Sequence, residues 1–305
     1  MIKYDPVMHM NQKLKGSLSL LLATLIWGST FVAQSVGMDY IGPFTFQAVR
    51  CALAAIGLLP VIYLFDKSPK AFLRGWQDKR LWKAGILCGI PLFIACNLQQ
   101  LGLVDTDAGK SAFLTAMYIV LVPLLGIFLK KKPSVMVPVS VALAVAGLYC
   151  LSCGGVTSIS KGDLLLIGCA FMFAVQILCV DHFAAQVDPL RMNAIQAGVC
   201  AVLSAIVMFV TEQPRMDAIW NCWFPLAYAG FLSMGAAYTL QIVGQKHIEP
   251  AAASLIMSLE SVFAVLCGCL FLKETMTGWE ILGCVLVFIA VVLSQIPVPV
   301  KVKAK

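Results

Sequence analysis

Apolar residues run along this chain in long blocks, broken at nearly regular intervals by short polar or basic stretches. Ten blocks can be read: Ser17–Val36, Pro43–Phe65, Trp82–Leu103, Ala108–Leu129, Ser134–Ser152, Gly162–Phe183, Pro189–Thr211, Trp223–Gln245, Pro250–Leu272 and Gly278–Ile296. Each holds about 19–23 residues, enough for an α-helix to cross about 30 Å of hydrocarbon with modest tilt. The blocks lack the apolar/polar alternation of lipid-facing barrel strands. The predicted fold class is therefore an all-α membrane protein with ten transmembrane helices. Lys13 and Lys15 ahead of the first block resemble the start of a signal peptide, but the block is too long for a signal core. It also carries Trp27, Thr30 and Gln34 on one side, so a retained first span is expected.

Composition sharpens this picture. Of 305 residues, 60% are hydrophobic and 12% charged, with a mean hydropathy of +0.90. So little charge cannot coat a fold for water, which excludes a soluble enzyme, a nucleic-acid binder and a disordered chain. The net charge of +7 comes from basic residues in short loops and tails. With the amino terminus placed in the cytoplasm, seventeen fall inside: Lys3, Lys13, Lys15, Lys67, Lys70, Arg74, Lys79, Arg80, Lys83, Lys130, Lys131, Lys132, Arg191, Lys246, Lys301, Lys303 and Lys305. Four fall outside (Lys110, Lys161, Arg215, Lys273), and Arg50 lies within a span. This asymmetry predicts a multi-pass protein of the cell membrane with both termini cytoplasmic and an even number of spans. Most of the twelve cysteines lie inside apolar blocks, as small packing residues. Cys150-x-x-Cys153 has no second pair and no nearby histidine to complete a metal site.

The chain also matches itself. Lys15-Gly16 and Lys161-Gly162 open similar stretches 146 residues apart, and the same offset takes Trp27 to Phe173, Thr30 to Gln176, Pro43 to Pro189 and Arg50 to Gln196. Further on, an offset of 142 takes Leu98-Gln99 to Leu240-Gln241, Gly102 to Gly244, Gly126 to Gly268, Leu151-Ser152 to Leu293-Ser294, and Tyr118 to Glu260. Five spans per copy is an odd number, so the second copy enters the membrane with opposite polarity. That is the inverted-repeat plan of many secondary transporters, with a binding site near the midplane. The organisation expected is a cytoplasmic tail (1–15), one five-helix repeat (16–152), a second (161–296) and a cytoplasmic tail (297–305).

Within these copies, Trp27-Gly28-Ser29-Thr30-Phe31-Val32, Pro43 and Arg50-Cys51-Ala52 resemble the opening of an EamA-type repeat of the drug/metabolite transporter superfamily. Phe271-Leu272-Lys273-Glu274-Thr275, Gly278 and Gly283 resemble the close of the second repeat. Ala108-Gly109-Lys110-Ser111-Ala112-Phe113-Leu114 through Val122-Pro123-Leu124 is similar to the family's fourth helix. The resemblance implies ten helices, cytoplasmic termini, and export or uptake of small metabolites, amino acids or drugs. The chain departs from the family where the first repeat often carries a Glu after the fourth helix: here stand Lys130, Lys131 and Lys132, while Glu274 keeps its counterpart.

Polar groups inside spans should face a cavity or one another. Trp27, Thr30 and Gln34 share a face of the first helix, answered by Phe173 and Gln176 on the sixth. The third offers Asn97, Gln99 and Gln100, the fourth Ser111, Thr115 and Tyr118, the eighth Tyr238, Gln241 and Gln245, and the ninth Ser258, Glu260 and Ser261. The substrate-lining set expected is Trp27, Thr30, Gln34, Asn97, Thr115, Tyr118, Gln176, Tyr238, Gln241 and Glu260. Isolated amides equally serve as interhelical glue worth about 0.6–2 kcal/mol. Glu260 lies near the bilayer centre, where an acidic group costs about 2.5–3.5 kcal/mol. It is expected to meet a cationic substrate group or a coupling proton, with Tyr118 in the same chamber, or to lock helices. Arg50 is expected to hold a substrate carboxylate, or to snorkel outward or pair with Asp39. Pro60, Pro91 and Pro123 predict helix bends, and Gly85-x-x-x-Gly89 predicts close helix packing.

No metal, catalytic centre or cofactor is expected. His9, His182 and His247 lie in a tail and loops, and Gly109-Lys110-Ser111 lacks the rest of a phosphate-binding loop. The function expected is secondary, non-ATP transport of a small polar metabolite, such as an amino acid or drug-like solute, in the export direction, by alternating access around a midplane cavity. The partners expected are that solute, membrane lipid and a coupling proton, with no nucleic acid. An intramembrane enzyme and a non-transporting receptor or scaffold are the alternatives.

Overall fold

The computed structural model describes residues 6–106, 108–130, 136–152, 160–272 and 276–295. Cys153, Lys131, Lys132, the Lys273-Glu274-Thr275 stretch and the tails 1–5 and 296–305 lie outside the described residues. The main helices are α1 (Pro6–Met38), α2 (Pro43–Asp66), α3 (Lys79–Gly102), α4 (Ala108–Ala116 and Tyr118–Phe128) and α5 (Met136–Ser152). They continue with α6 (Lys161–Phe183), α7 (Pro189–Thr211), α8 (Trp223–Gln245), α9 (Pro250–Met257 and Leu259–Leu272) and α10 (Gly278–Gln295). Among the described residues nine of these are long and apolar enough to cross a membrane, and α5 is a shorter apolar helix of 17 residues. Their backbone polar groups are satisfied within each helix, as hydrocarbon demands.

The starts follow local chemistry. Pro43, Pro189 and Pro250 open α2, α7 and α9, where a missing N–H removes no hydrogen bond. Ser160 and Asp163 form a capping box at α6, and α2 ends where Lys67 turns left-handed at φ 57°. Three features differ from the hydropathy reading. Helix α1 begins at Pro6, well ahead of its apolar block, so most of the expected tail is helical. Two short helices, Pro69–Gly75 and Met216–Asn221, occupy connections. Helix α8 is π-helical from Tyr228 to Ala237.

Side chains pointing away from the bundle are apolar: Leu64, Phe65, Phe128, Phe209, Val210 and Leu270 are each more than 70% exposed. In water such a surface would aggregate; in lipid it is the solvated face. Exposed Tyr40, Trp220, Trp223 and Trp279 gather at the ends away from the lysine-rich connections, as in an aromatic belt. Ser17, where the apolar block of α1 begins, lies 3.5 Å from Gln295 at the end of α10, so these two points share one face.

Pairs of contacts recur under the sequence offsets. Glu212, after α7, accepts hydrogen bonds from the amides of Phe44 (2.9 Å) and Thr45 (2.8 Å) and the Thr45 hydroxyl (2.6 Å), capping α2. At the other end, Asp66 of α2 pairs with Arg191 at the start of α7. The offset of 146 takes Thr45 to Arg191 and Asp66 to Glu212, so one acid-to-helix-start clasp appears twice and fixes α2 and α7 antiparallel. Glu212→Ala strips three acceptor contacts and should cost about 1–3 kcal/mol, read as a lowered unfolding temperature in detergent; an unchanged temperature would deny the clasp a structural role.

The centre repeats in the same way. Gln47 donates to the Cys96 carbonyl of α3 (2.7 Å), and Arg50 Nε donates to Gln47 Oε1 (2.6 Å). In the second half Asn193 donates to the Met234 (3.0 Å) and Gly235 (2.8 Å) carbonyls of α8, and Gln196 donates to Asn193 Oδ1 (2.8 Å). The π-helical stretch of α8 includes Ser233, which corresponds to Pro91 inside α3. Both helices thus leave regular α geometry at one equivalent place, by a proline in one and a wide turn in the other. The break at Met117 in α4 falls one residue before Tyr118, and that at Ser258 in α9 two residues before the corresponding Glu260. Gly85 and Gly89 of α3 face Ile195 and Val199 of α7, where an added Cβ would come within 2.4 and 2.8 Å.

Candidate functional site

These breaks surround a cavity between α1, α2, α3, α4, α6, α8 and α9. Five pairs of corresponding residues line it: Trp27 with Phe173, Thr30 with Gln176, Phe31 with Ile177, Gln99 with Gln241, and Tyr118 with Glu260. Gln34, Arg50, Ser233, Tyr238 and Met257 complete the wall. Of the expected set, Trp27, Thr30, Gln34, Tyr118, Gln176, Tyr238, Gln241 and Glu260 are brought together here, along with Arg50.

Two expected residues are placed elsewhere. Asn97 donates to the Phe93 carbonyl (2.7 Å) and to Ser204 Oγ on α7 (2.8 Å), so it joins two helices and does not line the cavity. It continues the Gly85, Gly89 row at four-residue spacing, a signal that marks the packing face. Thr115 lies behind the wall, buried and within 3.4 Å of Gln99 Nε2. Phe31, Gln99, Phe173, Ile177, Ser233 and Met257 were not in the expected set. Gln99 and Phe173 correspond to Gln241 and Trp27, so the offsets alone could have added them.

The electrostatics are unequal between the halves. Arg50 is 3% exposed, yet among the described residues no carboxylate lies within 4 Å of it. It neither snorkels nor reaches Asp39. Its Nε and Nη1 donate to Gln47 (2.6 Å) and Gln34 (2.7 Å), and the guanidinium also stands beside the Cys96 thiol and 5.8 Å from the Phe46 ring centre. Glu260 is 6% exposed and accepts from the Tyr118 hydroxyl through Oε1 at 3.0 Å, leaving Oε2 without a donor among the described residues. Glycine at position 28 lets α1 close on α9 beside this acid: a Cβ there would stand 2.5 Å from Phe263 Cβ and 2.7 Å from the Glu260 carbonyl. Trp27 packs on Tyr238 with ring centres 4.9 Å apart. At their corresponding positions the halves carry Gln196 for Arg50 and Tyr118 for Glu260, so the cavity offers one basic and one acidic side chain that the repeat itself does not require.

Free space in the cavity is about 30 Å³, room for one or two waters. One helical turn away, Val122, Asp181, Gln245 and the 246–251 segment surround a vestibule of about 480 Å³ that opens at the lysine-rich face. In its rim, burial and then the Lys246 and Lys15 ammonium groups hold the His247 pKa below its usual value. Gln241 Nε2 donates to Gln176 Oε1 (3.0 Å) and Gln245 Oε1 (2.9 Å), and Gln245 Nε2 donates to the Ile177 carbonyl (2.9 Å). This amide chain stands between cavity and vestibule.

Comparison with known proteins gives the same architecture a family. A solved crystal structure, 18% identical, superposes with a TM-score of 0.75 over 92% of this chain and 96% of its own, a likeness of fold alone. An "Uncharacterized transporter" of Archaeoglobus fulgidus is 31% identical over 290 residues, 94% of this chain and 88% of that protein. "Uncharacterized transporter YoaV" of Bacillus subtilis is 24% identical over 279 residues, 90% of this chain and 94% of its own. The "Threonine/homoserine exporter RhtA" of Salmonella typhimurium is 30% identical over 151 residues, 47% of this chain and 49% of its own. One family model matches twice, at residues 14–153 and 160–295. With a multi-pass helical bundle, a polar cavity at its centre and that double match, the chain belongs to the EamA-like transporter family, and it is a membrane transporter, not an enzyme.

Proposed function

We propose that the protein is a secondary exporter of small zwitterionic solutes, amino acids foremost, working by alternating access around the central cavity. The observation that carries this reading is that Arg50 and Glu260 both line the cavity, are both buried, and have no opposite charge paired with them among the described residues. A buried charge without a counter-charge is costly, and a ligand with a carboxylate at one end and an ammonium at the other would neutralise both. The half-length likeness to a threonine/homoserine exporter agrees with that chemistry.

The moving parts follow from the repeated contacts. Contacts between corresponding residues are what a two-fold axis between the copies would produce; Tyr118 meets Glu260, and Cys96 lies 3.6 Å from the Tyr238 hydroxyl, both at the offset of 142. We read the chain as two inverted five-helix repeats, 16–152 and 161–296, with α5 as a tenth span and both termini cytoplasmic. Opening the cavity alternately to either face is then the exchange of two nearly equivalent arrangements. The vestibule at the lysine-rich face, taken as cytoplasmic, gives the solute its entry, and Glu260 takes up a coupling proton when the ammonium leaves. The test is uptake into proteoliposomes from a mixed metabolite pool, with and without an imposed pH gradient, followed by mass spectrometry. Enrichment of amino acids that rises with the gradient supports the reading; enrichment of neutral sugars or of apolar cations alone overturns it.

A further inference from the structure

Among the described residues, three polar atoms carried by cavity-wall residues are buried and without a partner: Trp27 Nε1, Gln176 Nε2 and Gln241 Oε1. Gln176 and Gln241 are 0% and 1% exposed. Their single mutual bond, with the second bond of Gln241 to Gln245, commits Gln176 Oε1 and Gln241 Nε2. Gln176 Nε2, a donor, and Gln241 Oε1, an acceptor, are left without partners. Both are carried by amides joined at 3.0 Å, which sets them in one patch of the wall. The corresponding residues of the first half show no such pair: the Thr30 hydroxyl is spent on the Ile26 carbonyl (2.6 Å), and Gln99 Nε2 lies 3.4 Å from the Thr115 hydroxyl. The first half contributes a lone donor, Trp27 Nε1, so the joined donor-and-acceptor pair belongs to one side of the cavity only.

We infer that Gln176 and Gln241 form a side-chain subsite for a group that donates and accepts at once, a hydroxyl or a carboxamide, so that the transporter selects polar uncharged amino acids over apolar ones of equal size. This rests on the zwitterion reading above and adds a third contact to it. A hydroxyl would accept from Gln176 Nε2 and donate to Gln241 Oε1 in one placement. An apolar isostere would drive out water and leave both atoms bare, which is the condition under which sites reject an analogue most strongly.

Threonine and valine are the fitting probes, since they differ by a hydroxyl in place of a methyl. In counterflow into proteoliposomes, threonine should exceed valine in kcat/KM by about 100-fold or more. Gln241→Met keeps the bulk and removes the acceptor together with the two donor bonds to Gln176 and Gln245, and should bring the ratio below about tenfold by slowing threonine far more than valine. Should that variant fail to reach the membrane, Gln176→Met gives the same reading from the opposite amide. A wild-type ratio near one, as expected if the pair holds only a water, overturns the subsite while leaving the zwitterion reading in place. So does a folded variant with an unchanged ratio. Transport of neither amino acid removes both.

Discussion

Glu260→Gln is expected to stop transport of ammonium-bearing solutes and to flatten the dependence of rate on pH, while the protein still folds. The variant side chain is isosteric, and its amide oxygen can still accept from the Tyr118 hydroxyl, which in the wild type reaches Oε1 at 3.0 Å. Only the charge and the titratable proton are lost. A charge-assisted contact in a desolvated site is worth about 2–5 kcal/mol, so kcat/KM should fall by about 30-fold or more. Measured in proteoliposomes across a series of pH values, the wild type should respond to a gradient and the variant should not. A variant moving amino acids at the normal rate with an unchanged pH profile would leave Glu260 as a helix lock alone.

Arg50→Gln should have the complementary effect: loss of carboxylate-bearing solutes with little loss of stability. Position 196, which corresponds to position 50, already carries a glutamine that donates to Asn193 at 2.8 Å, so the same bond to Gln47 is open to the variant. What disappears is the guanidinium charge on the cavity wall, again about 30-fold or more in kcat/KM. Arg50→Lys should recover only part of this, because a lysine ammonium cannot hold Gln47 and Gln34 in a fork while also reaching the cavity. Normal transport by a folded Arg50→Gln protein would show that the guanidinium serves α1–α2 packing and nothing more.

Much of this arrangement was legible in the chain. Blocks of apolar residues located the long helices because hydrocarbon leaves the backbone no other solution. The offset of 142 set Tyr118 and Glu260 at matching depths, and the two side chains do touch. Rotation about each helix axis was harder to read. Asn97 and Gln99 are two residues apart and equally polar, yet one faces α7 and the other the cavity. The choice is made by Gly85 and Gly89, which let α7 press against the face that Asn97 shares. The π-helical turn of α8 had no local signature, since it depends on Asn193 reaching the Met234 and Gly235 carbonyls from another helix. Nor could hydropathy foresee a continuous α1 from Pro6, where the residues are polar enough to read as a tail. Arg50 showed itself as a buried cation with Gln47 one turn before it on α2, but its second amide partner, Gln34, belongs to α1 and is set by tertiary packing.

The central claim is that one solute bridges Arg50 and Glu260. Its most direct test is exchange in proteoliposomes of three matched compounds: an amino acid, the amine left when its carboxylate is removed, and the acid left when its ammonium is removed. Exchange of the amino acid, with the amine and the acid each slower by about 30-fold or more, is the predicted result. Equal exchange of the amine or the acid would contradict it, because either outcome would leave one of the two buried charges without a task.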